Sequence, residues 1–393
     1  MCSRTLPDVR LVCCPQLAHL GFFADLVLGP GTGALRAALV VTAAYRLGHM
    51  TVEALADSRV PRATLSAVAA EAGVSISTVS KVLNGRPDVL QSTRARVEKL
   101  LQNQGYNRRG EAKAAPLIEL VFSLLTSEWA IEIIRGVEGV ARENGMSIVL
   151  TQTGDRHSPG LEWIAGVLQR RPLGVILIFS DLSDDNKSQL RIRNIPFVVI
   201  DPAGNPGTDV PSVGSANWAG GVLATRHLIE LGHDTIAMIS GPNDMMCSRA
   251  RVSGYRSALE EAGIRVREDL ILSGEFRRED GIRLGRDLLS RRDRPTAIFA
   301  GNDMQALGVY EVAREMEIDI PRELSVVGYD DIKIAQWVGP PLTTVRQPLT
   351  EMAEQATRLV IRLRQHAQGE TMRVELGTDL VVRGSTAKPF PAT

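Results

Sequence analysis

The sequence predicts an all-α head of three short helices, followed by a parallel α/β body large enough for two lobes. Three observations carry this. At 393 residues the chain exceeds one typical domain. Helix start and stop signals crowd between Thr64 and Gly105. Beyond Pro116, apolar strand-like runs alternate with amphipathic helical stretches to the end of the chain.

Before the head, residues 1–62 mix Pro, Gly, Cys and short apolar pieces without sustained periodicity, and are expected to be an irregular leader arising from an overextended start. The run Gly29-Pro30-Gly31-Thr32-Gly33-Ala34 follows Leu26-Val27-Leu28 and nominally fits a dinucleotide fingerprint. No convincing second strand or acidic partner follows it, so no cofactor is expected. Three of the four cysteines (Cys2, Cys13, Cys14) lie in this leader, in no disulfide or zinc spacing, and Cys247 stands alone in the body as a candidate buried thiol. No apolar run reaches the roughly 18 residues of a membrane span, and no secretion signal is present, so the cytoplasm is the expected compartment. Hydrophobic residues at 44% and charged residues at 23% exclude a disordered or fibrous chain.

The head occupies 63–106. Thr64 suits the N-cap of a first helix with Leu65, Val68, Ala69 and Ala72 on one face, and Gly73 suits its left-handed stop. Ser75 then caps a second helix that turns Val79, Val82 and Leu83 inward and Ser77, Thr78, Ser80 and Lys81 outward. A third helix is expected over Ser92–Gln104. Two helices joined by Gly73-Val74-Ser75 form a helix-turn-helix candidate, whose second helix would present its N-terminal residues to a DNA major groove. The whole chain is neutral, yet residues 64–115 hold eight basic against four acidic residues, a local net of +4 that suits phosphate contact. An ordinary three-helix domain with a solvated polar face has the same local pattern.

In the body, strands are expected at 117–125, 146–151, 174–179, 197–200, 235–240, 297–300 and 324–328. Helices are expected to start near Trp129, Pro159, Asp184, Asn217, Met246, Arg278, Met304 and Leu349. Ligands of open parallel sheets bind beyond the carboxyl ends of strands, which singles out residues immediately after each run. Asp201 and Asp330 follow strands and could accept paired hydrogen bonds from vicinal hydroxyls. Arg251 offers a rigid fork of donors, and Asn302 both donates and accepts. Trp129 and Phe276 offer flat apolar faces for the C–H side of a sugar ring. Each has a plainer role available: Asn302 and Asp303 as caps of the next helix, Asp330 as a turn cap, Arg251 as a solvated charge, Trp129 as core.

The segments Thr64-Leu65-Ser66-Ala67-Val68-Ala69 and Gly73-Val74-Ser75-Ile76-Ser77-Thr78-Val79-Ser80-Lys81-Val82-Leu83-Asn84 closely resemble the DNA-binding head of the lactose/galactose repressor family. The resemblance continues through Ile134-Arg135-Gly136-Val137-Glu138, Ser248 to Tyr255, Gly301 to Gly308, Ser325 to Asp331 and Pro341 to Gln347, covering residues 64 to about 384. It implies a two-lobed sensor similar to periplasmic sugar-binding proteins, with lobe 1 at about 117–213 and 346–368, lobe 2 at about 214–345 and 369–384, and a tail at 385–393. It also implies DNA contact by Leu65, Ser66, Ile76, Ser77, Thr78, Ser80, Lys81 and Asn84, and adds Gln347 to the ligand candidates. The chain departs from the family in the hinge, 107–116, where Ala115 stands at the place of an apolar wedge that pries open the minor groove. Arg108 and Arg109 are expected to supply phosphate or minor-groove contacts there instead.

These readings converge on a transcription regulator, expected to be a repressor, that binds double-stranded operator DNA as a homodimer and is controlled by a small polar effector, expected to be a sugar. The alternative is a solute-binding protein of a transport system, which would share the two lobes but require export and no head. An enzyme would need a converging acid, base or nucleophile set, and no metal spacing, phosphate loop or nucleophile elbow is found.

Overall fold

The computed structural model describes residues 64–389, apart from 84–87, 104–114, 124, 126–127, 155–160, 179–181, 204–206, 208 and 366–371. The expected leader, Asn84, Arg108 and Arg109 therefore lie outside the described residues.

Three helices build the head: α1 (Leu65–Ala72), α2 (Ile76–Leu83) and α3 (Gln91–Asn103). The Thr64 hydroxyl accepts the Ala67 N–H at 3.2 Å, and the Ser75 hydroxyl accepts the Thr78 N–H at 3.1 Å, so each helix start is satisfied by the cap the sequence offers. Gly73 closes α1 at φ 63°, a left-handed stop that costs glycine nothing. Val68, Ala69, Ala72, Val79, Val82, Val97 and Leu101 make a small separate core.

Lobe 1 is a six-stranded, wholly parallel sheet of β1 (Ala115–Phe122), β2 (Ser147–Gln152), β3 (Pro172–Ile178), β4 (Phe197–Ile200), β5 (Ser212–Ser215) and β11 (Arg373–Leu376). Its strand order is β11-β5-β4-β3-β1-β2. The buried run 174–178 is apolar at successive positions because helices cover both faces, and in 118–122 the one exception, the fully buried Glu119, accepts from Thr151 and from Arg170 Nε at 2.9 Å. On one face lie α4 (Glu128–Glu143) and α11 (Leu349–Gln365); on the other lie α5 (Leu161–Arg170) and α6 (Asp184–Ile192). The crossing of α4 and α11 is tight at Gly136, where a Cβ would sit 2.3 Å from the Thr350 carbonyl oxygen.

Lobe 2 repeats the plan with β6 (Ile236–Ser240), β7 (Ile271–Ser273), β8 (Ala297–Ala300), β9 (Ser325–Asp330), β10 (Thr343–Arg346) and β12 (Asp379–Val381), in the order β12-β10-β9-β8-β6-β7. Only β12 runs antiparallel. Its helices are α7 (Asn217–Glu230), α8 (Met246–Glu261), α9 (Arg278–Leu289) and α10 (Asp303–Glu315). The chain passes between the lobes three times, from β5 to α7, from β10 to α11 and from β11 to β12.

Four boundaries differ from those expected. Ala115 is the first residue of β1, paired with Pro172 and donating its N–H to the Arg171 carbonyl at 3.1 Å, so the hinge cannot extend to 116. The first crossing lies after Ser215 rather than 213, because β5 completes the lobe 1 sheet. Residues 373–376, expected in lobe 2, pair with β5 in lobe 1, and the third crossing falls at Gly377. Ser385, expected in a tail, is fully buried in lobe 2; its hydroxyl accepts the Thr343 N–H at 2.7 Å and donates to the Val326 carbonyl at 2.6 Å.

Candidate ligand cleft and nucleic-acid interface

A cavity of about 310 Å³ lies between the lobes at the carboxyl ends of both sheets. Phe122 and Ile178 end β1 and β3; Trp129 and Ala130 stand in the first turn of α4. Lobe 2 contributes Arg251 from α8, Phe276 from the β7–α9 connection, Asn302 before α10 and Asp330 at the end of β9, and Gln347 follows β10. Six of the seven expected ligand residues thus share one lining. Ile332 is buried within the lobe 1 core, Ala203 bridges to Met245, and the Ile334 N–H donates to Glu128 at 3.3 Å, so the two lobes touch around the cleft.

Arg251 is buried at 3% exposure, which removes the reading of a solvated charge. Its Nε donates to Asn217 at 2.8 Å and its Nη1 to the Gly301 carbonyl at 2.6 Å. The guanidinium lies 3.7 Å from the Tyr329 ring centroid and 5.5 Å from that of Phe276, cation–π contacts that strengthen on desolvation. Among the described residues no carboxylate forms an ion pair with it. Three of its five N–H donors are therefore uncommitted in those bonds.

Asp330 sits at φ 111°, a conformation L-residues rarely adopt, and its Oδ1 accepts from Gln347 Nε2 at 2.6 Å. Burial pushes this carboxyl up to about 7, against the opposing pull of Arg251 and the Gln347 hydrogen bond. Beneath it, Asp303 accepts from the Thr344 hydroxyl at 2.6 Å and the Ile332 N–H at 2.9 Å. Burial first, and the neighbouring Asp330 charge second, hold Asp303 well above the usual carboxylate range.

Asn302 fills both roles open to it. Its side-chain oxygen caps α10 by accepting the Gln305 N–H at 2.9 Å, while its amide donates to the Phe276 carbonyl at 2.9 Å. That second bond helps hold Phe276 at φ 61°, and the ring rests where any Cβ on Gly241 would lie 2.1 Å away. Trp129 likewise belongs to the lobe 1 core and lines the cleft. Asp201 is the exception. It is not part of that lining; with a left-handed backbone at φ 46°, it lies at the β5–α7 crossing, beside the Ser215 N–H and Asn217. Burial there pushes its carboxyl up to about 6, with Arg251 pulling it down.

Ser215, Asn217 and Tyr329 were not singled out from the sequence. Asn217 Nδ2 donates to the Ser215 carbonyl at 3.0 Å, and the Ser215 hydroxyl donates to Gln347 at 2.5 Å. A hydrogen-bonded chain therefore runs Arg251–Asn217–Ser215–Gln347–Asp330, through two of the three crossings. The Ser-Val-Gly-Ser composition of β5 gives no strand signal that would have flagged it.

In the head, Ile76 (51% exposed), Ser77 and Lys81 form the open side of α2, with Ser80 half-buried beside them. Ser66 is exposed and Leu65 half-buried at the start of α1; Thr78 is half-buried, its hydroxyl bonded to Ser75 at 2.8 Å. Lys81 pairs with Asp88 at 2.6 Å, both exposed, an ion pair weak enough for a phosphate to replace. Among the described residues no cluster of metal-ligating side chains occurs, and no helix is long and apolar enough to cross a membrane.

The family model described as bacterial regulatory proteins of the lacI family matches residues 64–109, and that of the periplasmic binding protein-like domain matches 225–386. The ribose operon repressor of Escherichia coli K12 is 35% identical over 332 residues, covering 82% of this chain and 99% of that protein. The chain belongs to the lacI family. Among solved structures of this family, the transcriptional regulator CelR in complex with cellobiose is 33% identical, with a TM-score of 0.64, covering 82% of this chain and all of the other. The lac repressor dimer bound to operator and an anti-inducer is 26% identical, with a TM-score of 0.61, over 83% and 99% of the two chains. The lacI-family head and the two-lobed, periplasmic-binding-protein-like body are thus the architecture of this chain. The body match extends to 386, in keeping with the burial of Ser385.

Proposed function

We propose that this chain is a sequence-specific transcriptional repressor of the cytoplasm, whose affinity for operator DNA is set by a sugar held in the interlobe cleft. The carrying observation is that Arg251 and Asp330 line one cavity between two lobes on a chain that also bears a helix-turn-helix head. That conjunction is what a transport-associated binding protein would lack. The reading assigns the chain no catalytic step.

The uncommitted N–H groups of Arg251 would donate to hydroxyl oxygens, and the second Asp330 oxygen would accept from an adjacent hydroxyl. Trp129 and Phe276 would cover the ring's apolar faces, while Asn302 and Gln347 hold the partners in place. A ligand shifts an equilibrium only by binding one lobe arrangement better than another. Closure about the three crossings would thereby change how two heads, one from each subunit of a homodimer, are presented to two half-sites.

Duplexes selected from random DNA by the full-length protein supply the operator, and D-ribose and cellobiose serve as first effectors in a thermal-shift and binding assay. Selective binding that changes with one sugar is the expected result. Arg251→Ala should lower sugar affinity at least about a hundredfold while operator affinity stays within about twofold, since the lost side chain is remote from the head. Failure of the unmodified protein to select any duplex, or loss of both activities in Arg251→Ala with the fold intact, overturns the reading.

A further inference from the structure

The head precedes lobe 1 in the chain, and the residues between them, 104–114, lie outside the described residues. What meets the head on the lobe side is the end of α6. Ile192 leaves its own lobe's cluster and packs against the head core, alongside Leu65, Leu100 and Val97. Next to it Glu98, a charged residue on α3, is only 9% exposed and accepts from Gln189 Nε2 at 3.2 Å. The Gln189 oxygen accepts in turn from Arg193 Nη1 at 2.7 Å. An apolar contact is therefore flanked by a directional chain, Glu98–Gln189–Arg193, in which both ends are charged.

We propose that Gln189, Ile192 and Arg193 form a seat on lobe 1 for the head of the same chain, and that this seat sets where the recognition helix points. Buried polar chains of this kind are geometrically demanding, because a small displacement leaves a charged group without its partner. The seat is joined through β4 to the part of lobe 1 that meets lobe 2. The chain runs from α6 into β4, and three residues beyond β4 Ala203 bridges to Met245 beside the cleft. Displacement of lobe 1 against lobe 2 carries β4 and α6 together, and the seated head with them.

The inference rests on the DNA-binding reading above, and its test separates the two. The operator selected by the full-length protein is compared with derivatives lengthened or shortened by one base pair at its centre. A seated head makes the unmodified protein lose about tenfold or more on either change. Ile192→Asp in the lobe and, independently, Glu98→Ala in the head should each weaken operator binding and flatten that spacing dependence. The double variant should be no worse than the stronger single. Glu98→Gln, which keeps an acceptor oxygen for Gln189, should remain close to the unmodified protein. Unchanged spacing dependence in both single variants, with melting temperatures preserved, overturns the seat, as does full additivity. If no duplex is selected the DNA reading fails, and hydrogen exchange of the α3 amides still decides: faster exchange in Ile192→Asp supports the seat, and unchanged exchange overturns it.

Discussion

The two lobes share one strand order, yet they furnish the cleft differently. Lobe 2 brings the groups held in fixed, costly states: a buried guanidinium, Asp330 and Phe276 at positive φ, and Asp303 buried beneath them. The described wall of lobe 1 brings Phe122, Trp129, Ala130 and Ile178, side chains that also serve its core, with Ser123 and Gly154 beside them. Strain and buried charge persist only where surrounding structure over-determines them, and lobe 2 supplies that structure through Asn302, Gln347 and Gly241. Lobe 1 has the head's seat instead. On the proposed readings, the polar recognition groups and the head's seat would sit on opposite sides of the three chain crossings.

The comparison is tested hardest at Asp330. In the folded protein its carboxyl is pushed up to about 7 from the ordinary 3.8, so the folded state holds a proton that the unfolded chain releases over that range. The stability this lends is present below about pH 4 and is lost as pH rises through 7. Asp330→Asn removes the charge and with it the cost, so the variant should melt higher than the unmodified protein at pH 8, with the difference vanishing near pH 4. The gain is bounded by on the order of 1–4 kcal/mol. The same change should cost sugar binding about tenfold to a hundredfold, since a carboxylate acceptor becomes an amide. In the unmodified protein, sugar affinity should fall as pH drops from 8 to 6. Equal melting gaps at pH 4 and 8 would remove the idea that lobe 2 stores instability for recognition.

A smaller effect probes the output side. Lys81 lies on the open face of α2 in an exposed ion pair with Asp88. Lys81→Ala should weaken operator binding about fivefold to tenfold and reduce the slope of log affinity against log salt by about 1, while sugar affinity is unchanged. An unaltered salt slope would mean that Lys81 remains with Asp88 on DNA.

The ends of the head helices were legible because single residues decide them: Thr64 and Ser75 start α1 and α2 by capping, and Gly73 stops α1 by its backbone freedom. Seven of the twelve described strands were legible as apolar runs, the four-residue β4 and β8 among them, whereas β5, β7, β10, β11 and β12 are three or four residues of mixed polarity and exist through long-range pairing. The same limit applied to the cleft. Arg251, Asn302 and Asp330 follow strands or carry family motifs, so their positions could be named in advance. Ser215 and Gln347 are 132 residues apart, and only the crossings between lobes bring them within a hydrogen bond. Asp201 followed a strand and still does not line the cavity; it lies beside Ser215 and Asn217 at the crossing, a contact that the strand pattern alone does not show.

The smallest expected effect lies at Ala115, and it separates a sequence expectation from the fold. Taken as the truncated wedge of the hinge, Ala115 would give more DNA bending on replacement by leucine, since a larger apolar side chain can unstack a base step. In the structure Ala115 is already in lobe 1: its N–H is spent on the Arg171 carbonyl and its partner across the ladder is Pro172. Leaving the sheet to reach DNA would break that bond and shorten β1 at its first residue. A half-buried strand residue accommodates leucine at modest cost. Ala115→Leu should therefore leave the bend angle of the selected operator unchanged in circular-permutation gel shifts, with affinity within about twofold, while Lys81→Ala measured beside it shows its loss. A distinct increase in bend would put residue 115 in the minor groove, and the first pairing of β1 with β3 would have to give way when the protein binds DNA.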